Sequence, residues 1–266
     1  MIFKEIKQAA LDCGADLVGF ADAHQLFDPS TARDPQNILP GARTMIILAV
    51  RYLSGTLKSP EIRMAVNDCR HMDLHLGQIA RKIGRQIEDK GFTAVPLPSY
   101  YPLKMDVKTK GLLGDVSLKK AGAIAGLGEI GANQLLVTPE FGPRIRLTGI
   151  LTDLPFEEAD RVETRFLDCS SCGLCIDKCP GQALSPAGID IKKCIQHVGN
   201  PYGLSSLIKF ILSALDKQKD EVKTMIHSPE LWNYYQNFMV GTHFNCHVCQ
   251  SVCPIGQKHR LERPSI

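Results

Sequence analysis

The chain has no long apolar run and no strong charge of either sign. None of its hydrophobic stretches reaches the about 20 residues that a membrane-spanning helix needs, and the opening residues MIFKEIKQAALDCGADLVGF lack the apolar core of a signal peptide. We therefore expect a cytoplasmic protein with no membrane partner. The formal net charge of +3 is too small to indicate nucleic-acid binding by itself. Basic clusters at Lys119–Lys120, at Arg144–Arg146 and in KHRLER near the end favour either a solvated surface or an anionic partner.

The motifs of several common enzyme classes are also missing. The sequence contains no Ser-His-Asp set, no paired metal-binding histidines and no P-loop. With 44% hydrophobic and 22% charged residues, its composition is that of an ordinary globular protein. A length of 266 residues accommodates one large or two modest domains.

Cysteine, in contrast, is abundant and unevenly distributed. Eight of the ten cysteines fall in the last hundred residues: Cys169, Cys172, Cys175, Cys179, Cys194, Cys246, Cys249 and Cys253. In a reducing compartment such crowding indicates metal binding and not disulfides. The run CSSCGLCIDKCP has the C-x2-C-x2-C-x3-C-P spacing with which bacterial ferredoxins bind four-iron clusters, the fourth cysteine ligating the other cluster.

A second motif, CHVCQSVCP, repeats the end of this pattern but lacks one cysteine, which Cys194 can supply. The eight residues then divide into two complete ligand sets. The first cysteine set is Cys169, Cys172, Cys175 and Cys253, and the second cysteine set is Cys179, Cys194, Cys246 and Cys249. A zinc site would use C-x2-C pairs but neither the middle cysteine of a triplet nor the C-P endings, so we predict two four-iron clusters. The two remaining cysteines, Cys13 and Cys69, are expected to be buried or half-buried thiols without a role.

The first part of the chain alternates helix and strand patterns, which predicts an α/β or α+β fold. Strands are expected in DLVGFADA, TMIILAVRYL, FTAVPLPS and RIRLTGILTDLPF, and a long helix from Met64 to Lys90. We place an α/β domain at residues 1–160 and a ferredoxin-like domain with two clusters at 161–266.

The second domain carries a helical insertion at residues 199–244. GLSSLIKFILSALDKQKD has apolar residues at helical spacing and predicts an amphipathic helix that packs on another surface, and PELWNYYQNFMVG predicts a second helix. The insertion either covers the cluster domain or forms a dimer contact, or it is a lid whose Trp232, Tyr234 or Tyr235 shapes a substrate pocket.

The stretch AIAGLGEIGANQ has the G-x-G-x-x-G spacing of a dinucleotide-binding turn at Gly126, Gly128 and Gly131. That motif needs a preceding strand and an acidic residue about 20 positions later. The residues before it include two lysines and no β-branched run, and Glu140 and Asp153 fall at unsuitable distances. We therefore interpret the loop as a tight turn with close backbone packing or as a contact for another cofactor.

Taken together, GADLVGFADA, LPGARTMIILAVRYL, AGLGEIGANQLLVTPEFGPRIRLTGILTDLP and the cysteine pattern resemble the epoxyqueuosine reductases and related short iron–sulfur reductases, which are related to reductive dehalogenases. The resemblance implies a nitroreductase-like domain that binds base-off cobalamin, fused to a ferredoxin-like domain with two 4Fe-4S clusters. It also implies an oxidoreductase that receives electrons from a low-potential donor of ferredoxin or flavodoxin type. By the same resemblance, the loop contacts cobalamin through Gly126, Leu127, Gly128, Ile130, Gly131 and Asn133.

Departures from the family pattern affect the other expected roles. Glu129 and Ala132 stand where the family usually has Trp and Lys, and the catalytic aspartate corresponds best to Asp115, with Tyr100 and Tyr101 as second candidates. The helical-repeat domain used on tRNA is not in this sequence, which weakens a tRNA role and leaves a modified nucleoside or another small molecule as substrate. The alternatives are an electron-transfer protein without substrate chemistry and a reductive dehalogenase-like enzyme.

Overall fold

In the computed structural model the chain is described over residues 2–100, 102, 113–157, 167–198, 203–215, 217–240 and 246–257. The elements of the first part are, in order, α1 (Ile2–Asp12), β1 (Leu17–Asp22), β2 (Thr44–Arg51), α2 (Ser54–Lys58), α3 (Ile62–Glu88), β3 (Ala94–Pro96), α4 (Leu118–Ile124), β4 (Glu129–Ile130), β5 (Leu136–Val137) and β6 (Ile145–Thr152). The mixed helix and strand class, the three longer strands and the long helix are confirmed.

Four of these strands form one antiparallel sheet in the order β1-β2-β6-β3. Strand β2 is central and almost entirely buried, because helices cover both faces of the sheet. Successive side chains of a strand point to opposite faces, so Ile46 and Leu48 pack with α1 and α3, whereas Met45 and Ile47 pack with α4. The first part therefore has three layers, with α1 and α3 on one face and α4 on the other.

The layer containing α4 lies close to the sheet because the sheet presents glycine there. Ile47 is paired with Gly19 on one neighbouring strand and with Gly149 on the other. A Cβ at Gly19 would come within 2.9 Å of Leu127 Cγ, and one at Gly149 within 3.3 Å of Leu118 Cδ2. The missing side chains thus allow α4 and the loop that follows it to pack directly on the strands.

The second part is built from short elements around the cysteine motifs. They are α5 (Cys169–Cys172), α6 (Leu174–Asp177), β7 (Leu184–Ser185), β8 (Gly188–Ile189), α7 (Ile191–Val198), α8 (Leu204–Leu212), α9 (Lys219–Ile226), α10 (Pro229–Val240) and α11 (Val248–Ser251). The left-handed conformation of Gly173, with φ of 59°, permits the turn between α5 and α6. The predicted boundary at residues 160 and 161 lies outside the described residues, as do both ends of the insertion.

Two predicted elements differ from those observed. The strand expected in FTAVPLPS is only three residues long, because Pro96 and Pro98 have no N–H to donate to a ladder. The first helix of the insertion is shorter than expected, because α8 ends at Leu212. A further helix, α9, begins after Gln218, whose backbone N–H donates to Glu221 in a capping box.

The apolar stripe of the insertion is exposed among the described residues, and its predicted partner surface remains a prediction. Five of its side chains are exposed: Leu204, Ile208, Ile211, Leu212 and Leu215. Of the three aromatic residues predicted to shape a lid pocket, Trp232 and Tyr235 are exposed and contact each other. Tyr234 is buried and packs on Phe210 of α8, with the ring centroids 5.5 Å apart. The described contacts therefore join α8 to α10.

Candidate iron–sulfur centre

The first cysteine set lines one pocket. Its members come from α5, from α6 and from the residue two positions after α11, and Leu167 and Pro254 lie between them. Burial raises the pKa of the Cys175 thiol, and the charges of Cys169, Cys253 and Cys172 raise it further. Such mutual repulsion is felt only between neighbouring thiols, so residues about 80 positions apart in sequence meet in this pocket.

The second cysteine set is also brought together. Burial raises the pKa of Cys194, with further contributions from Cys246 and Cys179. Burial raises the pKa of Cys249 to about 12, and the other three members of its set and Cys175 contribute in the same direction. The backbone N–H of Ala183 donates to Cys179 Sγ at 3.3 Å, a contact typical of a cluster thiolate.

These two groups are the sets that the motif spacing predicts, and their role as cluster ligands remains a prediction. Within the described residues, no three Cys, His, Asp or Glu side chains converge as ligands of a single metal ion would. A four-iron cluster has a different requirement, because each thiolate binds a separate iron at a corner of the cube. Eight thiols in two groups of four are a donor set of the kind such clusters need. Burial raises the thiol pKa values of five of them, Cys175, Cys194, Cys246, Cys249 and Cys253.

The α/β part and the C-terminal cysteine motif meet in an internal interface, formed by residues 133–146 and 246–257. Arg144 is buried, and its guanidinium donates to the carbonyl oxygens of Gln250 at 3.1 Å, of Cys253 at 2.9 Å and of Ile255. The side chain of Gln250 in turn donates to the Pro143 carbonyl at 2.9 Å. The prediction that the Arg144–Arg146 cluster is solvated or faces an anionic partner is therefore wrong for Arg144.

Two glycines complete the interface by allowing backbone to pack on backbone. Gly142 and Gly256 both have positive φ, of 59° and 69°. A Cβ at Gly256 would overlap the backbone of Phe141 and Gly142, and a Cβ at Gly142 would overlap the Ile255 carbonyl. The two segments thus approach each other more closely than any side chain would permit.

The glycine loop is part of a hairpin and is not followed by the helix of a dinucleotide-binding turn. Helix α4 precedes Gly126, β4 lies between Gly128 and Gly131, and β5 follows and pairs with β4 in the antiparallel sense. A Cβ at Gly128 would overlap the Val137 carbonyl, and one at Gly131 would lie 2.8 Å from Val137 Cγ2. Close packing on β5 therefore explains these two glycines, as one of the two sequence interpretations proposed.

The other predicted cobalamin contacts have varied surroundings. Leu127 is half-buried above Gly19, Gly126 is half-buried with φ of 74°, and Ile130 is exposed. Asn133 is buried, and its amide donates to the Cys249 carbonyl at 3.5 Å and accepts from Leu135 N–H. Gly131 and Asn133 also line the pocket of the first cysteine set. The loop consequently borders the proposed cluster directly.

Two of the three candidate proton donors, Asp115 and Tyr100, lie among the described residues. Asp115 is half-buried, two residues before Ser117, which caps α4. Tyr100 is half-buried with its ring centroid 6.0 Å from the guanidinium carbon of Arg146. Tyr101 lies outside the described residues.

A half-buried ion pair that sequence reasoning missed lies beside Tyr100. Arg146 makes a bidentate ion pair with Asp73 of α3, at 2.8 to 2.9 Å. Burial raises the pKa of Tyr52 and of Cys69, and both groups feel the charge of Arg146. His247, between two cysteines of the second set, packs edge-on against Tyr52 at 5.4 Å, and its Nδ1 lies 2.9 Å from Gln250 Oε1. The available signal was an arginine in a strand whose other residues are uncharged. Cys69 is buried, as expected.

Solved structures of two kinds of enzyme have the same fold as this chain. The chain aligns with a crystal structure of epoxyqueuosine reductase with a tRNA-Tyr epoxyqueuosine-modified tRNA stem loop, at a TM-score of 0.60 and 20% identity, over 96% of this chain and 65% of that one. It also aligns with a catabolic reductive dehalogenase in complex with 3-bromo-4-hydroxybenzoic acid, at a TM-score of 0.56 and 20% identity, over 74% of this chain and 29% of that one. The fold is therefore shared by epoxyqueuosine reductases and reductive dehalogenases.

Two proteins that are similar to the chain in sequence are both epoxyqueuosine reductases. The chain is 26% identical to the epoxyqueuosine reductase of Bacillus cereus over 95% of its own length, and 26% identical to that of Staphylococcus aureus over 99%. It spans 58% and 61% of the length of those two proteins. No family model matches the chain. The resemblance inferred from the motifs is confirmed. No helix among the described residues has the length and apolarity to cross a membrane.

Proposed function

We propose that the chain is an oxidoreductase similar to epoxyqueuosine reductase, with two four-iron clusters on its eight C-terminal cysteines and a cobalamin on its α/β part. When bound, the clusters supply one-electron transfer and cobalamin supplies a reactive cobalt centre. The observation that carries the proposal is the grouping of the eight thiols into two sets of four, one of them bordered by the glycine loop. The base-off state of cobalamin and a ferredoxin-type or flavodoxin-type donor belong to the same proposal.

The residues of the chain have distinct tasks in this proposal. The cysteine sets hold the clusters, the N–H of Ala183 supports one thiolate, and apolar neighbours such as Leu167 and Pro254 exclude water from the first pocket. The glycine loop brings the α/β part against the first pocket, where the cysteines would hold the cluster that supplies electrons to this part. We assign the proton donor to Asp115, with Tyr100 and Tyr101 next.

The glycine loop fits a cofactor contact only along its outer edge. Gly128, Gly131 and Asn133 are occupied with packing on β5 and on the cysteine motif. We therefore restrict the proposed cobalamin contacts of the loop to Gly126, Leu127 and Ile130, of which Ile130 is the most exposed. Support for cobalamin itself comes from the relatives, which include a structure described as suggesting a mechanism for B12-dependent dehalogenation.

Anaerobic reconstitution with iron and sulfide, followed by gel filtration with hydroxocobalamin, tests the proposal. We expect about eight irons per chain and a corrinoid spectrum that elutes with the protein. Ile130→Glu should reduce corrinoid retention and leave the iron content unchanged. Full iron without corrinoid would favour an electron-transfer protein, and zinc in place of iron would contradict the proposal.

We further propose a modified nucleoside as substrate, which the tRNA stem loop in the related structure supports. A halogenated phenol is the second candidate, since the dehalogenase of the same fold was solved with 3-bromo-4-hydroxybenzoic acid. Single-turnover assays of the reduced protein with an epoxyqueuosine-modified stem loop and with that acid compare the two. Turnover of the stem loop alone supports the first candidate, and turnover of the acid alone supports the second.

A further inference from the structure

Arg144 has an unusual position for a cation. It lies immediately before β6 and is 6% exposed. Its side chain crosses the internal interface and contacts the segment that carries Cys253. Three backbone carbonyls of this segment, those of Gln250, Cys253 and Ile255, accept hydrogen bonds from its guanidinium. Two of these residues, Cys253 and Ile255, also line the pocket of the first cysteine set. A fixed positive charge therefore lies directly behind a proposed cluster ligand.

The planar guanidinium suits this position. Its donors point in fixed directions, so it can hold several carbonyls at once and keep its charge at every accessible pH. Because the group is buried, its field is weakened less by water than that of a surface arginine. Arg51, in contrast, has a side chain that is 53% exposed and is paired with Asp16.

A nearby cation affects the two oxidation states of a cluster unequally. Reduction adds one electron, and hence one negative charge, to the iron–sulfur core. A buried positive charge stabilises the reduced state more than the oxidised state, and charge and hydrogen bonding near the sulfurs are main determinants of cluster potential. From this geometry we infer that Arg144 is a positioning residue that raises the reduction potential of the cluster at the first cysteine set, an inference that rests on the proposed function.

The contacts also indicate which cluster is affected more. Arg144 donates to the carbonyl of Cys253, a member of the first set. It also donates to the carbonyls of Gln250, which precedes Cys253, and Ile255, which follows it. Its nearest described contact to the second set is the carbonyl of Gln250, the neighbour of Cys249. We therefore expect a larger shift for the first cluster and a smaller one for the second.

Redox titration of the reconstituted protein, followed by EPR, tests the inference. Arg144→Gln removes the charge and retains some hydrogen bonding, so we expect a more negative midpoint potential for the first cluster. Arg144→Lys retains the charge and should keep a potential close to that of the wild type. Arg51→Gln is the matched control, because it removes an exposed charge and should leave both potentials unchanged. Iron and sulfide are measured for each variant.

The possible outcomes separate the explanations. Unchanged potentials in Arg144→Gln at full iron content would overturn the inference and leave Arg144 as a structural clamp. If Arg144→Gln loses iron, Arg144→Lys decides: a potential like that of the wild type supports the role of charge, whereas a negative shift or loss of iron overturns it. A wild-type protein that assembles no cluster would instead contradict the proposed function.

Discussion

The positions of individual thiols show to which cysteine set each motif contributes. Cys179 follows the N-terminal triplet closely in sequence, yet its neighbours in space are Cys194, Cys246 and Cys249. Cys253 belongs to the C-terminal motif but lies with Cys169 and Cys172. Each motif therefore contributes one residue to the site of the other.

This exchange predicts opposite effects for two serine variants. Cys179→Ser should lose the cluster held mainly by the C-terminal motif, and Cys253→Ser the one held by the N-terminal triplet, because a hydroxyl is a poorer ligand for cluster iron than a thiolate. Iron counts and EPR spectra of the reconstituted variants measure the effect. Cys13→Ser is the control and should keep both clusters. Loss of the same cluster in both variants would contradict the exchange.

Asp115 is the residue to which we assign proton transfer. Asp115→Asn keeps the size and polarity of the side chain, so we expect iron and corrinoid binding to persist while turnover falls by about 10² to 10⁴. Asp12→Asn, at an exposed position at the end of α1, is the control and should have normal turnover. If turnover is also normal in Asp115→Asn, the role passes to Tyr100 or Tyr101, which phenylalanine variants test.

At the scale of elements, glycines decide how closely segments approach. Three of them distinguish the effect of backbone strain from the effect of steric overlap. Gly256 has positive φ and no room for a Cβ, Gly41 has φ of 84° with open space around it, and Gly77 lies in α3 with open space and a helical backbone. The first combines strain with overlap, the second has strain alone, and the third has neither.

Alanine at these positions should therefore have graded effects on stability. Gly77→Ala should stabilise by up to about 1 kcal/mol through helix propensity. Gly41→Ala should destabilise by about 1 to 2 kcal/mol through backbone strain. Gly256→Ala should destabilise by more and should also release iron faster, because it separates the internal interface. Thermal unfolding and the rate of iron loss to a chelator measure these effects. A Gly256→Ala protein that retains iron like Gly41→Ala would contradict the importance of this contact.

At the scale of the whole molecule, the two parts differ in what holds them together. Among the described residues, the buried apolar side chains belong to the part before residue 158, except for Ala183, Leu184 and Tyr234. The first part has a packed core on both faces of its sheet. The second part has little apolar burial of its own, so under the proposed function it depends on metal–thiolate bonds and on the internal interface.

Removal of iron should therefore unfold the parts unequally. After treatment with a chelator and an oxidant, we expect residues 167–198 and 246–257 to lose protection, while the sheet and α3 keep theirs, because metal binding supplies the folding energy only of the former. Hydrogen exchange followed by mass spectrometry measures this, and the untreated holoprotein is the control. Equal protection of both parts without iron would contradict the prediction.

Local features of the sequence were enough to predict the main elements and the cysteine sets. Apolar patterns in the sequence identify β1, β2, β6 and α3: the period of α3 reflects one helix face on one core, and the continuous apolar run of β2 reflects burial on both faces of the sheet. The cysteine spacings are equally local, because the geometry of a cluster restricts how thiolates are placed along a short loop. The apolar patterns need only neighbouring residues, whereas the division into two cysteine sets also required counting the thiols of two motifs that are far apart in sequence.

Tertiary structure alone decided the meaning of the glycine loop and of Arg144. Gly128 packs against β5, and Asn133 donates to the Cys249 carbonyl. No local sequence pattern predicts either contact. Arg144 reads as surface charge in the sequence, but its three carbonyl partners are 106 to 111 residues away. Contacts across such separations depend on how complete elements pack. The burial of a side chain, and hence the strength of its electrostatic interactions, is therefore defined only in the folded chain.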